Sequence, residues 1–139
     1  MLLNTHGRLE VNGVSLWLTG VDAPARYGCD DLAAAMNGTP VSGFKILLAH
    51  SPDLAEEVAE NGIDLYLCGH THGGQIVLPW LGPIYSNSRC KRRYMRRAWR
   101  HGRMQGCTSL GLGCVVRPVR IGCPPEAVLI TLKEERGHI

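Results

Sequence analysis

The stretch LCGHTHGGQ, residues 67 to 75, brackets one threonine between two histidines, in a chain that has six histidines among 139 residues. Imidazole is a ligand for Zn, Mn, Fe, Co or Ni. Residues two apart on an extended segment point the same way, and flanking glycines let the backbone approach closely, so the stretch is expected to aim His70 and His72 into one small volume. A third histidine, His50, ends the apolar run FKILLAH. Taken singly, a histidine at the end of a strand is a surface or hydrogen-bonded residue. Three of them around a glycine-rich turn make a candidate metal site.

The elements that must position these side chains are legible around them. FKILLAH at 44 to 50 is a continuous apolar run of strand length, the pattern of a strand covered on both faces. SPDLAEEVAENG follows as a helix, with Ser51 as N-cap, Pro52 at the first helical position, Asp53 near the positive end and Gly62 as terminator. Leu54, Val58, Ala55 and Ala59 supply its apolar stripe. IDLYLCG at 63 to 69 is a second covered strand that runs straight into His70. Strand, helix and strand form a βαβ unit with parallel strands and a right-handed crossover, which brings His50, His70 and His72 to the carboxyl ends of neighbouring strands. In open α/β sheets, sites are built at that edge.

Upstream, RLEVNGVSLWLT places two β-favouring runs around Asn12-Gly13 and predicts a hairpin. DDLAAAMNG predicts a short helix that ends at Gly38. Downstream of Gly74 the sequence is turn-rich and β-like: QIVLP, turns at Pro79, Gly82 and Pro83, MQGCTSLGLG, VVRPVRIG, and a strand EAVLITL at 126 to 132, with a solvated tail after it.

At 45% hydrophobic, the chain suits a single domain over residues 1–139. Apolar runs such as ILLA and AVLI fall far short of the roughly 20 residues that cross a bilayer, and residues 1 to 20 lack the pattern of a signal peptide. Cys29, Cys68, Cys90, Cys107, Cys114 and Cys123 form no C-x-x-C pair and are read as mostly buried free thiols in a reducing compartment. The net charge of +3 conceals an asymmetry, because no Asp or Glu occurs from Leu65 to Pro125 while the arginines cluster there. The surface built from that half favours anions: phosphate esters, nucleic acid or an acidic membrane face.

ILLAHSPD, DLYLCGHTHGGQ, LPWLGPIYSNS, the LGLG turn and PVRIGCPPEAVLITL together resemble the second half of the calcineurin-like metallophosphoesterases, in particular their bacterial branch of small, often membrane-associated enzymes. The resemblance covers nearly the whole chain, from about Asn4 to Leu132. It implies an α/β fold, part of an αββα sandwich of mixed sheets flanked by helices. It also implies two divalent ions (Mn, Zn, Fe or similar) that hold a phosphoester and a bridging water or hydroxide for in-line attack on phosphorus. Carried over, His50 resembles the lone histidine on the second metal, His70 the first histidine of the G-H-x-H motif on that same metal, and His72 the second histidine, on the first metal. His6, His101 and His138 match no ligand.

The same family carries an Asp-x-His pair, a bridging Gly-Asp and a Gly-Asn-His in its first half, and none of these strings occurs here. Asp22, Asp30 and Asp31 are candidates only by being acidic, and Asp22 is read as a strand terminator. Three neutral imidazoles do not screen the repulsion of two adjacent divalent ions, so this chain is expected to bind at most one metal, loosely, and to be weakly active or inactive alone. The resemblance places Met1 just after the family's first half. The favoured expectation is a fragment; a homodimer and a repacked core are the alternatives. Localisation is expected to be cytoplasmic or peripheral at the membrane.

SRCKRRYMRRAWRHGR carries eight Lys or Arg in sixteen residues, with Tyr94 and Trp99 among them. The run 89–103 has three readings: a solvated insertion between strands, a lip whose Arg92, Arg93 and Arg96 attract substrate phosphate or an anionic lipid surface, or a nucleic-acid-binding module. A non-catalytic remnant that serves as an interaction domain is a further alternative to the enzyme.

Overall fold

The structure is a computed structural model that describes residues 1–22 and 30–133; Cys29, His138 and the tail from residue 134 lie outside the described residues. The chain opens with a hairpin of β1 (Thr5–Val11) and β2 (Val14–Gly20). Its turn places Asn12 at φ 53° and Gly13 at φ 81°, the two-residue geometry whose twist matches that of the strands it joins. Helix α1 (Leu32–Met36) is capped by Asp31, whose carboxylate accepts from the Ala34 N–H at 2.8 Å.

Strand β3 (Phe44–Leu48) leads into a helical segment in three pieces: a 3₁₀ turn Pro52–Leu54, α2 (Ala55–Val58) and a second 3₁₀ turn Ala59–Asn61. Gly62 closes it at φ 73°. Strand β4 (Leu65–Cys68) follows. Beyond it lie a two-stranded ribbon of β5 (Val77–Leu78) and β6 (Gly82–Pro83), a 3₁₀ turn Arg92–Tyr94, and the hairpin of β7 (Arg97–His101) and β8 (Met104–Thr108).

The main sheet runs β1-β2-β3-β4-β8-β7. Strands β2, β3, β4 and β8 are mutually parallel neighbours, and β1 and β7 close the edges antiparallel. All four parallel strands therefore deliver their carboxyl ends to one edge.

The two faces of this sheet differ. Leu47 and Tyr66, level with each other on β3 and β4, are fully buried in one cluster with Leu32 and Ala35 of α1, Ala55 and Val58 of α2, and Tyr94. The opposite face is built from Leu9, Leu16, Leu18, Ile46, Leu65 and Leu67, which the ladders place side by side. Ile46 and Leu65 are buried there, but Leu9, Phe44 and Leu48 stay 37 to 45% exposed. The fold is thus an α/β arrangement of a mixed sheet and few helices, compatible with a sandwich. Among the described residues, no helix is long and apolar enough to cross a membrane.

Several sequence expectations are revised. EAVLITL forms no strand: Glu126 N–H bonds to the Gly111 carbonyl, and Val128, Leu129, Ile130 and Leu132 are 40 to 93% exposed, with no ladder partner among the described residues. The basic run is not an insertion between strands, since its second half is edge strand β7, where outward charges are tolerated because one side faces water. Ser51 adopts the extended N-cap conformation but makes no capping bond; its hydroxyl donates to Asp53 Oδ2 at 2.6 Å instead. Full two-sided cover of FKILLAH fails at Phe44 and Leu48, because they lie on the more open face. Of the described cysteines only Cys123 is buried; Cys68, Cys90 and Cys107 are half-buried and Cys114 is exposed, all as free thiols.

Candidate metal centre

His50 follows β3 by two residues and His70 follows β4 by two residues, so the parallel pairing of these strands sets the two imidazoles side by side. The backbone continues that pairing past the strands, with Ala49 N–H bonded to the Leu67 carbonyl at 3.1 Å and Gly69 N–H to the His50 carbonyl at 3.2 Å. His50 Nε2 and His70 Nδ1 approach to 2.8 Å, with ring centroids 4.5 Å apart and planes inclined by 51°. One of these nitrogens carries the shared proton and the other accepts it.

The turn that follows is not extended. His70 has φ 69° and His72 has φ 47°, and a 3₁₀ turn spans His72–Gly74. The expectation that alternation along a strand aims both rings the same way is therefore replaced by a coiled turn whose fixed point is the residue between them. Thr71 is buried; its hydroxyl donates to the Met95 carbonyl at 2.5 Å and accepts from the Gly73 N–H at 3.1 Å. With the threonine held inward, the flanking histidines are left half-buried at the surface.

The trailing Gly-Gly-Gln is explained by close packing. A Cβ on Gly73 would lie 2.6 Å from Leu110 Cδ2, and one on Gly74 would lie 2.5 Å from Pro83 Cβ, while both residues sit at positive φ. Gln75 then clamps the 115–119 loop, donating to the Arg117 and Val119 carbonyls at 2.9 Å and accepting from the Val115 N–H at 2.6 Å. His72 faces this loop region: its Nδ1 lies 3.2 Å from the Gly113 carbonyl and 3.2 Å from Arg120 Nη2. A depression of about 400 Å³ beside it is lined by Thr71, Ile76, Tyr85, Val115 and Val116.

Two converging imidazole nitrogens suit a borderline metal such as zinc. Tetrahedral Zn–N bonds of about 2.0–2.1 Å set their nitrogens roughly 3.3 Å apart, so a modest opening of the His50–His70 pair admits an ion. Among the described residues, no three His, Cys, Asp or Glu side chains gather as a ligand set. Asp22, which follows β2 on the strand next to β3, holds its backbone N–H on the Asn4 side chain at 3.0 Å.

Two of the three proposed phosphate arginines are engaged in other contacts. Arg93 bonds to Glu56 at 2.9 Å and lies over the Tyr94 ring, and Arg92 donates to the Leu81 carbonyl at 3.3 Å. Arg96 is half-buried. Lys91 also meets Glu56, at 2.6 Å, and this partner above all holds the Glu56 carboxyl below its usual range. The aromatic residues of the run turn inward: Tyr94 is 1% exposed, and Trp99 donates to Thr108 Oγ1 at 2.9 Å. Neither Tyr94 nor Trp99 is thus free for base stacking, which weakens the nucleic-acid reading.

Sequence comparison relates the chain to curated bacterial proteins. An uncharacterized metallophosphoesterase of Bacillus subtilis (strain 168), YkuE, is 40% identical over 90 residues, covering 65% of this chain and 31% of the relative. The phosphodiesterase YaeI of Escherichia coli (strain K12) is 35% identical over 88 residues, covering 63% and 32%. The chain belongs to the metallophosphoesterase family. A longer match joins it to the uncharacterized protein YpbG of B. subtilis, 34% identical over 132 residues, which covers 94% of this chain and 47% of the relative. The chain thus spans at most about half the length of the curated relatives it matches. No family model matches it, and no solved structure does.

Several contributors to the geometry around these histidines escaped the sequence reading. Thr71, Gln75 and Arg120 all act through partners distant in sequence. Asp53, read only as a helix-dipole residue, accepts from Ser51, from the Ser88 hydroxyl at 2.7 Å and from the Arg89 N–H at 2.9 Å, and so ties the start of the helix to YSNS.

Proposed function

We propose that this chain supplies the histidine wall of a phosphoester hydrolase that works with divalent metal ions, His50 and His70 serving one ion and His72 a second. The single observation that carries the reading is the 2.8 Å approach of His50 Nε2 to His70 Nδ1 at the carboxyl edge of a parallel sheet, in a chain whose relatives are named metallophosphoesterase and phosphodiesterase. When bound, such ions activate a water and neutralise the phosphate oxygens.

The chain's own residues do the rest. The proton between His50 and His70 must move off their common line before both nitrogens present lone pairs. Thr71 fixes the turn that separates the two binding directions, and Gln75 holds the loop beside His72. Arg92, Arg93 and Arg96 act through their summed field, which raises the local concentration of an anionic phosphoester; they do not form a cradle. Among the described residues, no carboxylates that would bridge two ions gather beside these histidines, so the complete site draws them from outside this group of residues. In that arrangement the second sheet of the sandwich covers the face of Leu9, Leu16, Leu18, Ile46, Leu65 and Leu67.

An anionic membrane surface is a second partner, favoured by one feature. Trp80 is fully exposed at the turn between β5 and β6, beside exposed Leu81 and Ile84, and Arg92 reaches the Leu81 carbonyl. An aromatic tip with an arginine at its base suits the headgroup region.

The test of the hydrolase reading is to load the purified chain with Mn or Zn, desalt it, and measure both retained metal and cleavage of bis(4-nitrophenyl) phosphate. Retention with cleavage supports the whole reading, and retention without cleavage limits the chain to holding metal. A chain that neither retains metal nor cleaves would sink the reading for this protein.

A further inference from the structure

We infer that Arg120 is a positioning residue for His72, fixing its tautomer so that Nε2 keeps the lone pair. The inference deepens the metal role proposed for His72 and rests on it for its purpose, though not for its geometry. Arg120 is surrounded by acceptors. Its Nη2 donates to the Leu110 carbonyl at 2.8 Å, to the Gly111 carbonyl at 3.1 Å and to the Gly113 carbonyl; its Nε reaches the Gly113 carbonyl at 3.2 Å and its Nη1 the Cys123 carbonyl at 3.4 Å. One guanidinium therefore gathers the 110–113 turn and residue 123 around itself.

His72 Nδ1 stands 3.2 Å from both Arg120 Nη2 and the Gly113 carbonyl. These two neighbours make opposite demands. Arginine has only hydrogens to give, so a bond from it needs a lone pair on Nδ1. The carbonyl has only lone pairs, so a bond to it needs a hydrogen on Nδ1. Counting hydrogens decides between them. Nη2 has two, and three carbonyls already compete for them. If Nδ1 took one, its lone pair would also face the Gly113 oxygen without a hydrogen between them. With the proton on Nδ1, every carbonyl has a donor: Nη2 serves Leu110 and Gly111, and the Gly113 oxygen accepts from Arg120 Nε with one lone pair and from His72 with the other, while Nη2 only stands beside His72 without a bond to it.

Neutral imidazole carries one ring proton, so Nδ1–H leaves Nε2 as the bare nitrogen available to a metal. A carbonyl that holds the other ring N–H is a common way to orient a metal-binding histidine. Here the carbonyl is itself held by Arg120. Cys123 fastens the same turn from below, its thiol donating to the His72 carbonyl at 3.1 Å. Lysine in place of Arg120 would keep the charge but lose the fork that reaches several carbonyls at once.

The experiment is a long-range proton–nitrogen correlation spectrum of the ¹⁵N-labelled, metal-free chain at about pH 8.5, where an ordinary imidazole is neutral. The His72 signals are assigned by their absence in His72→Gln. The expected wild-type pattern has Nδ1 as the protonated nitrogen and Nε2 as the bare one; the reverse pattern overturns the inference without any variant. Arg120→Lys is expected to shift both His72 nitrogens toward the Nε2–H form. An unchanged His72 pattern in a folded Arg120→Lys chain overturns the role of Arg120. The Nδ1–H pattern in a chain that takes up no metal would uphold the tautomer assignment and remove only the metal reading.

Discussion

His50 Nε2 and His70 Nδ1 meet at 2.8 Å although twenty residues of chain separate them. The crossover through α2 accounts for the contact, because it returns the chain parallel to β3 and ends both strands at the same level. An imidazole pair so close shares a hydrogen that an ion can replace.

Thr71 is the pivot of this arrangement, so replacing it should be costly in stability. Thr71→Val keeps the volume but leaves the Met95 carbonyl and the Gly73 N–H without their partner. The expected loss is about 1–3 kcal/mol in urea unfolding, with Thr71→Ser recovering part of it. A Thr71→Val chain as stable as wild type would show that the turn is held elsewhere.

Gly74 and Gly62 make a controlled contrast. Both lie at positive φ, but a Cβ on Gly62 meets nothing within 4 Å while one on Gly74 meets Pro83 and the Tyr85 carbonyl. Gly62→Ala should cost about 1–2 kcal/mol for the left-handed conformation alone. Gly74→Ala should cost about 2–5 kcal/mol, since overpacking is added to that term. Equal losses in chemical denaturation would argue against the close packing of the turn.

The cysteines should separate by reactivity. Burial pushes the Cys68 thiol up to about 12, against the opposing effect of the Thr108 hydrogen bond, and also raises Cys90 and Cys107. Cys114 is exposed. Brief alkylation at about pH 8 should therefore mark Cys114 well before Cys68, because the thiolate is the reacting form. Peptide mapping by mass spectrometry reads the order, and rapid labelling of Cys68 in the folded chain would be inconsistent with its environment.

Acid should weaken the contact between α2 and the basic run. Lys91, with Tyr94 and Arg93, holds the Glu56 carboxyl below its usual value. Its contribution is present above the unfolded value of about 4.3 and is lost as pH falls through the lower folded value, because the unfolded state then binds the proton more readily. The effect is expected to be small, since the group is exposed and screened. Glu56→Gln should flatten this part of the stability–pH curve; an identical acid limb in the variant would exclude Glu56 as its source.

The parts of the fold that could be read in sequence are those whose signals are local. Asn12-Gly13 announces its hairpin, and Pro52 and Gly62 bound the helical segment between two apolar runs. Strand β7 was hidden because Arg97 and Arg100 mask a strand pattern that an edge position permits. EAVLITL misled for the converse reason: its alternating apolar residues fit a strand, but a strand also needs a neighbour to pair with. The three histidines stood out by type, whereas Thr71 and Arg120 did not. Their roles depend on the Met95 and Gly113 carbonyls, which only the folded chain brings to them.

The central claim is that His50 and His70 hold one metal ion together. Zinc titration of the ¹⁵N-labelled chain, followed through the histidine ring nitrogens, tests it most directly. The account predicts that the His50 and His70 signals move together with one common affinity, and that His70→Ala abolishes the response at His50. Zinc binding that leaves both rings unmoved, or normal zinc occupancy in His70→Ala, would contradict it.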